Sequence, residues 1–342
     1  MEHPSLSTPP SGSIRFNTDS SKLEIYNGDK WWEVDSTVGS NSPRWVTGGG
    51  YQPGVSNVIQ YVQIPTTSNT VDFGDLTGNK IGTGTCASAI RGLWAGTGEA
   101  PSSTDVIEYI IVAEQGNAVD FGDLSAARGY ATGCGDKTRG LFIGGATTPQ
   151  YNKTNEIQYV TYDTKGNATD FGDYSASVYN ANACSSPTRG IIAGGTAPAS
   201  NNIDYVTIQS TGNSVDFGDL ITAYLMGGPG TSNATRGMFG GGNYAASPTI
   251  TAMVQYVHFS TLGNCADFGD LTVARDSMTA GSSATRAIWG GGRTGPPAAE
   301  ALQNVMDYIE IPSLGNALDF GDLIAPTRYN MGFSNTNGGV QG

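Results

Sequence analysis

The chain is poor in the residues from which most catalytic and nucleic-acid-binding sites are built. Of its 342 residues, two are histidine and four are cysteine. His3 lies in an N-terminal tail and His258 in a repeated segment, so a histidine triad or multi-histidine metal centre has no material. Lys and Arg number 17 against 30 Asp and Glu, a net charge of −13, which argues against nucleic acid, because phosphates are met by clustered cations. No window approaches the ~20 apolar residues of a membrane span. Met1–Ser5 offers neither the basic nor the apolar region of a signal peptide. The expectation is a protein made in the cytoplasm of its cell without a signal peptide and not inserted in a membrane. The cysteines form no C-x-x-C pair and no disulfide framework. Cys86, Cys134 and Cys184 each stand five residues before a repeated arginine and read as one small, buried position in successive repeats.

What the chain does have is glycine, 49 residues of it, and only 14% charged residues, the balance of a turn-rich β protein. It also has Asp-Phe-Gly-Asp six times: Asp72, Phe73 and Asp75; Asp120, Phe121 and Asp123; Asp170, Phe171 and Asp173; Asp216, Phe217 and Asp219; Asp267, Phe268 and Asp270; Asp319, Phe320 and Asp322. Successive copies are 48, 50, 46, 51 and 52 residues apart, the period of stacked supersecondary units. Twelve of the 30 acidic residues belong to these copies, so much of the acidity is architectural.

One repeat has four strand-length parts separated by turn residues: Tyr130–Cys134, Arg139–Gly145, Ile157–Val160 and Ala168–Asp173. The second part recurs from Arg44, Arg91, Arg189, Arg236 and Arg286, and the third around Tyr61, Tyr109, Tyr205, Tyr256 and Tyr308. An apolar strand ending in paired glycines, an x-Tyr strand and an aromatic in the fourth strand resemble the Kelch-type propeller blade over residues 44–342, with Phe where that family usually has Trp. The first repeat lacks a first strand before Arg44, and residues 323–334 supply a first strand with no second. Joining them removes two open sheet edges. The expected fold is all-β: a six-bladed β-propeller of four-stranded blades over residues 41–342, closed by its C-terminal strand.

Residues 1–40 differ. Ile14 and Phe16, then Leu23 and Ile25, alternate with polar residues, Asn27-Gly28 marks a hairpin, and Lys30–Val34 completes a small meander. About 25 residues of meander bury little surface alone, so a partner is expected. Ser36–Pro43 reads as a linker. Gly12, Ile14–Asp19, Leu23, Glu24, Tyr26–Gly28 and Trp31 resemble a short module of bacteriophage tail-fibre and other virion structural proteins. That resemblance implies a virion component, oligomeric, attached to other virion proteins through residues 1–40.

Asp-Phe-Gly holds magnesium in protein kinases, but no phosphate loop, Val-Ala-x-Lys strand or His-Arg-Asp loop accompanies it here. Six copies call for a structural cause: Phe packing between blades, Gly at positive φ, and Asp accepting backbone N–H groups in a turn. A divalent cation such as calcium at the aspartate pairs is the alternative, and no other metal or cofactor is expected. The repeated arginines are expected to pair with aspartates of their own or a neighbouring blade. By contrast the connections between parts two and three vary in length and carry Tyr51, Tyr151, Tyr244 and Arg293, the residue types enriched at contacts. These four are the candidate ligand-binding residues. The expected function is non-enzymatic: a tail- or fibre-associated virion protein recognising host-surface carbohydrate or protein. The alternatives are a decoration subunit binding only virion proteins, and a carboxylate hydrolase, which would need convergent Asp or Glu in a pocket.

Overall fold

The alternating apolar and polar residues fold as strands throughout. A computed structural model describes residues 9–17, 22–34, 42–98, 103–147, 150–196, 198–227, 229–244, 250–295 and 300–341; these are all-β, with no helix among them. Most of the linker Ser36–Pro43 lies outside the described residues. The chain divides into two compact units, Met1–Ser42 and Pro43–Gly342.

In the first unit β1 (Ile14–Asn17), β2 (Lys22–Tyr26) and β3 (Trp31–Val34) form an antiparallel meander. Gly28 takes φ +101° in the hairpin, and the Asn27 side chain accepts the N–H groups of Asp29 and Lys30 at 3.0 and 2.9 Å. Register places Ile14, Ile25 and Trp32 side by side on the face that also carries Phe16. On the other face Arg15 bridges Glu24 at 2.7 Å and lies 4.2 Å over the Trp31 ring, while Asn17 donates to the second Glu24 oxygen at 2.8 Å. Hydrogen bonds from Asn17 and Arg15 hold the Glu24 carboxyl below its usual range. The apolar face stays open, with Ile14, Phe16 and Trp32 exposed by 62, 61 and 56%.

The second unit is built on six four-stranded antiparallel sheets, with two short two-stranded pairs in its connections, Tyr51–Gln52 with Gly54–Val55 and Arg293–Thr294 with Ala301–Leu302. In spatial order, sheet one is Met331–Ser334, Arg44–Gly48, Val58–Gln63 and Val71–Asp75, so the last strand of the chain pairs with the first strand of this unit. Sheet two is Gly84–Ala87, Arg91–Ala95, Val106–Ile111 and Val119–Asp123; sheet three is Thr132–Gly135, Arg139–Ile143, Thr154–Thr161 and Thr169–Val178. Sheet four is Asn182–Ser185, Arg189–Ala193, Ser200–Thr207 and Val215–Gly227, with Gly242–Tyr244 added at its outer edge. Sheet five is Gly230–Ser232, Arg236–Gly240, Met253–His258 and Ala266–Asp270, and sheet six is Thr279–Ser282, Arg286–Gly290, Val305–Glu310 and Leu318–Asp322. The first strands touch their neighbours in cyclic order, sheet six returning to sheet one. Six buried apolar clusters lie in the six seams, and each contains one Phe of the Asp-Phe-Gly-Asp repeat.

Each such Phe packs edge-on against the third-strand Tyr of its own sheet, with centroids 5.6–6.1 Å apart from Tyr61–Phe73 round to Tyr308–Phe320. The repeated arginine covers the same Tyr from the other side, 4.7–5.3 Å from the ring. Its guanidinium also donates to the carbonyl just past the third strand of the next sheet: Arg44 to Val112, Arg91 to Tyr162, Arg139 to Ile208, Arg189 to Phe259, Arg236 to Ile311, and Arg286 to Ile64 and Pro65. The expected arginine–aspartate pairing is therefore wrong. Among the described residues only Arg286 of these six meets a carboxylate, that of Glu310 at 2.7 Å. The tyrosine ring offers each cation its π face, worth ~0.5–2 kcal/mol, and the carbonyl fixes it across the seam.

The repeated aspartates do not accept turn N–H groups through their side chains either. The second Asp of each copy instead donates its own backbone N–H to an Asn in the turn of the next sheet, Asp75 to Asn117 and so on round to Asp322 and Asn69, all at 3.0–3.1 Å. The intervening glycines hold φ between +141° and +153° at a β-bulge, where the turn of the next sheet presses on the Cα. Cys86, Cys134 and Cys184 are buried and unpaired with one another; each faces the glycine after the arginine of the next sheet, Gly140, Gly190 and Gly237.

Gly116 and Gly122 separate the two reasons for glycine. Both hold φ near +154°, but a Cβ at Gly116 meets open space, whereas one at Gly122 overlaps the Gly166 carbonyl of the next sheet. Gly116→Ala is expected to cost ~1–3 kcal/mol for the dihedral alone. Gly122→Ala should cost a further ~1–3 kcal/mol for the overlap. Denaturant unfolding of the two variants checks this; equal losses would show that the seam yields.

Candidate functional site

Five first strands are entered through a residue in the left-handed region, a position where only one of the five is glycine. Gly82, Tyr130, Asn180, Ser277 and Tyr329, each two residues before its strand, have φ of 53–57°. Such a conformation costs ~1–2 kcal/mol for a non-glycine residue, so something must hold it. Four of the five donate their N–H to the carbonyl of the preceding member, Gly82 to Tyr329, Tyr130 to Gly82, Asn180 to Tyr130, and Tyr329 to Ser277. The result is a backbone collar running across the sheets.

The collar surrounds a cavity of about 90 Å³. All five residues line it, together with Thr85, Thr132, Asn182, Thr279 and Met331 from the first strands. At the far ends of those strands the serines are cross-linked: Ser185 donates to the carbonyl of Gly135, Ser232 to that of Ser185, and Ser282 to that of Ser232, at 2.6–2.7 Å. The segment after the last strand lies against this far end. Thr336 donates to the Ser282 carbonyl at 3.1 Å, the Gln341 side chain accepts the Ala234 N–H at 3.1 Å, and Asn337 lines a second, smaller cavity there.

Around the collar the tyrosines form one cluster. Tyr130 stacks on Tyr151 at 6.4 Å and 25°, meets Tyr329 edge-on at 5.9 Å and Tyr179 at 6.3 Å, and Tyr151 lies 5.9 Å from Tyr179. Burial, reinforced by the neighbouring Tyr151 and Tyr329 phenols, raises the pKa of Tyr179. Arg328 extends the cluster, lying 5.0 Å over Tyr51 and 5.2 Å over Tyr329.

Of the four residues singled out by composition, Tyr51 and Tyr151 stand here, 37 and 48% exposed. Arg293 is also at this end but is buried and does not line the cavity. It bridges Asp276 at 2.8 Å and Glu300 at 2.8 Å, and Glu300 in turn takes Arg328 at 2.9 Å. Arg293 thus fixes the loop behind Ser277. Tyr244 ends the strand Gly242–Tyr244, and its side chain lies outside the described residues, as do residues 99–102, 148–149, 197, 245–249 and 296–299 of the variable connections. Sequence reading passed over Tyr130, Tyr179, Tyr329, Asn182 and Thr279. The available signal was a run of residues just before the first strand that changes from repeat to repeat, Gly82, Tyr130, Asn180, Ser277 and Tyr329 at one position, while the Arg, Tyr and Asp-Phe-Gly-Asp positions recur.

Two lining residues, Asn182 and Thr279, each hold a buried side-chain atom, Nδ2 and Oγ1, that has no hydrogen-bond partner. Among the described residues no three His, Cys, Asp or Glu side chains come together as a metal site, at the aspartate pairs or elsewhere. Neither a model of a known protein family nor a curated protein matches the chain.

The Arg293–Asp276 pair is testable. Arg293→Met strands the fully buried Asp276 carboxylate and is expected to cost ~3–5 kcal/mol of stability. Adding Asp276→Leu should restore much of the loss, as read by the two thermal midpoints. An Arg293→Met variant as stable as the parent would show that the pair does not hold this loop.

Proposed function

We propose that the chain is a non-enzymatic bacteriophage virion protein, associated with the tail or its fibres. In this reading residues 1–40 attach to the particle and the second unit is a six-bladed, Kelch-like β-propeller closed by its C-terminal strand. The propeller presents its collar end to the host surface. Six sheets in cyclic contact, with a buried apolar cluster between sheets six and one as between the other neighbours, support the propeller. The observation that carries the recognition role is the cavity lined by Tyr130 and Tyr329 and bordered by a tyrosine cluster, at the end where the connections vary. Its strained collar is held in place before any ligand arrives, and a site already ordered spares the cost of ordering on binding.

The attachment role rests on the meander. Its apolar face, with Phe16 and Trp32 open, is too large a fraction of so small a sheet to leave in water. Copies of the module covering one another, or another virion protein doing so, would account for it, and the motif between Gly12 and Trp31 resembles that of virion modules.

Two measurements test the reading. Fluorescently labelled full-length protein is expected to bind host cells saturably, and Tyr130→Ala with Tyr179→Ala is expected to abolish binding. A folded, oligomeric protein that binds no candidate host would move the role to assembly or decoration of the particle. The solution mass is expected to be that of an oligomer, reduced to monomer by Phe16→Glu with Trp32→Glu; a parent protein already monomeric would remove the meander as an oligomerising unit.

A further inference from the structure

The lining of the collar cavity has a chemical character that the chain as a whole does not. With a net charge of −13 on the molecule, the cavity is lined by Tyr, Thr, Asn, Ser, Met, Pro, Ala and Gly alone, with no charged side chain among them. The cations next to the collar residues are already paired with carboxylates: Lys80 with Glu108, Arg128 with Glu156, Arg275 with Asp307, Arg293 with Asp276 and Glu300, and Arg328 with Glu300. An anionic ligand would therefore find no counter-charge, and a cationic one no carboxylate.

The polar groups are specific. Asn182 on sheet four and Thr279 on sheet six enter the cavity from different sheets, 6 and 2% exposed, and Asn182 Nδ2 and Thr279 Oγ1 have no partner. A buried polar atom left unpaired costs ~1–3 kcal/mol, so a donor amide and a hydroxyl held in this state describe a ligand that accepts from one and exchanges a hydrogen bond with the other. Tyr130 and Tyr329 supply aromatic surface beside them, and Tyr130 is braced from behind by Tyr151 and Tyr179. Hydroxyls in reach of an amide and a threonine, with C–H faces against phenol rings, are the chemistry of a sugar. The crossed serines and the segment Thr336–Gln341 at the other end leave the cavity room for a chain terminus and not for a polymer threaded through it.

We infer that the collar cavity binds the terminal residue of a neutral hexose-bearing glycan, with Asn182 and Thr279 as its buried hydrogen-bonding pair and Tyr130 and Tyr329 as its stacking surface. This deepens the recognition reading and rests on it for its biological setting, but not for its chemistry. A quaternary ammonium group would also suit an aromatic ring, yet it would leave the Asn182 amide and the Thr279 hydroxyl unsatisfied.

The test titrates the full-length protein, by ligand-observed NMR, with methyl glycosides of glucose, galactose, mannose and N-acetylglucosamine, beside a sialoside, a glucuronide and choline. One or more neutral hexosides are expected to bind, competitively with one another, and the charged probes not to. Thr279→Val keeps the shape and removes the hydroxyl, so it should leave the thermal midpoint equal or higher while weakening the hexoside at least ~10-fold, the equivalent of 1.4 kcal/mol. Asn182→Leu should act likewise. Failure of every hexoside, preferential binding of choline or of an acidic sugar, or unchanged affinity in Thr279→Val would each overturn the inference. Host-cell binding by the same preparation separates the two claims: cell binding without hexoside binding sinks this inference and spares the recognition role, and hexoside binding without any cell binding does the reverse.

Discussion

A guanidinium laid on a tyrosine ring and reaching over to the carbonyl of the next sheet is the contact on which the larger unit depends. A single four-stranded sheet has two apolar faces to cover, and the described residues hold neither a disulfide nor a helix to cover them. Neighbouring sheets must do it, and they must do it the same way each time. The Arg–Tyr–Phe stack fills the seam from the outer strands, while the Asn side chain in each turn takes the N–H that the β-bulge at Asp-Phe-Gly-Asp would otherwise leave without a strand partner. Glycine is required in that bulge because the next sheet's turn lies where a side chain would begin.

Repetition of one seam creates a closing problem, because the last seam joins residues from opposite ends of the chain. The packing there is altered accordingly. Between sheets two and three, three and four, and four and five, a cysteine of the first strand faces a glycine of the next sheet. Between one and two the projecting residue is Phe333, against Gly92, and between six and one the order reverses, with Trp45 on the second strand filling the space over Gly281 and Gly290. The volumes stay complementary although the large residue changes sides. Close-packed interiors tolerate such exchange when total volume is kept. Once the seams are fixed, the collar residues have no freedom to relax, which is how four non-glycine residues remain in the left-handed region at the cavity mouth.

Strand positions, the four-part repeat and the supply of the missing strand by residues near 331 were legible because period and apolar alternation are local properties of the chain. The partners of the arginines were not. Opposite charge made aspartate the obvious choice, but on antiparallel strands Arg139 stands two residues from being opposite Tyr159, and the aspartates lie on the outer strand beyond it. That relation depends on register, which the bulge at Ile157/Gln158 shifts by one residue. The candidate site was half legible for a similar reason. Tyr51 and Tyr151 stand out by composition in variable connections. The clustering of Tyr130, Tyr179 and Tyr329 comes from two adjacent sheets and from the end of the chain, and needs the ring to bring them together. Arg293 looked like an exposed anchor because nothing near it in sequence shows that Asp276, on the entry to the same sheet, will bury it.

The contrast between an acidic molecule and an uncharged cavity also bears on how recognition would work. Charges outside the cavity act over about 8 Å at physiological salt and repel anionic surfaces, so long-range attraction does not bring this protein to an acidic envelope. Specificity has to come from short-range contacts within the collar, and a cavity of this size can contact little more than one sugar ring. One ring gives weak affinity. Useful attachment then requires several copies held together, because tethering turns each later contact into an intramolecular one and raises avidity by ~10²–10⁴. On the proposed role, the open apolar face of the meander and the small neutral cavity are therefore linked: a site this small needs multiplicity, and the meander is the part of the chain built to be covered by a partner.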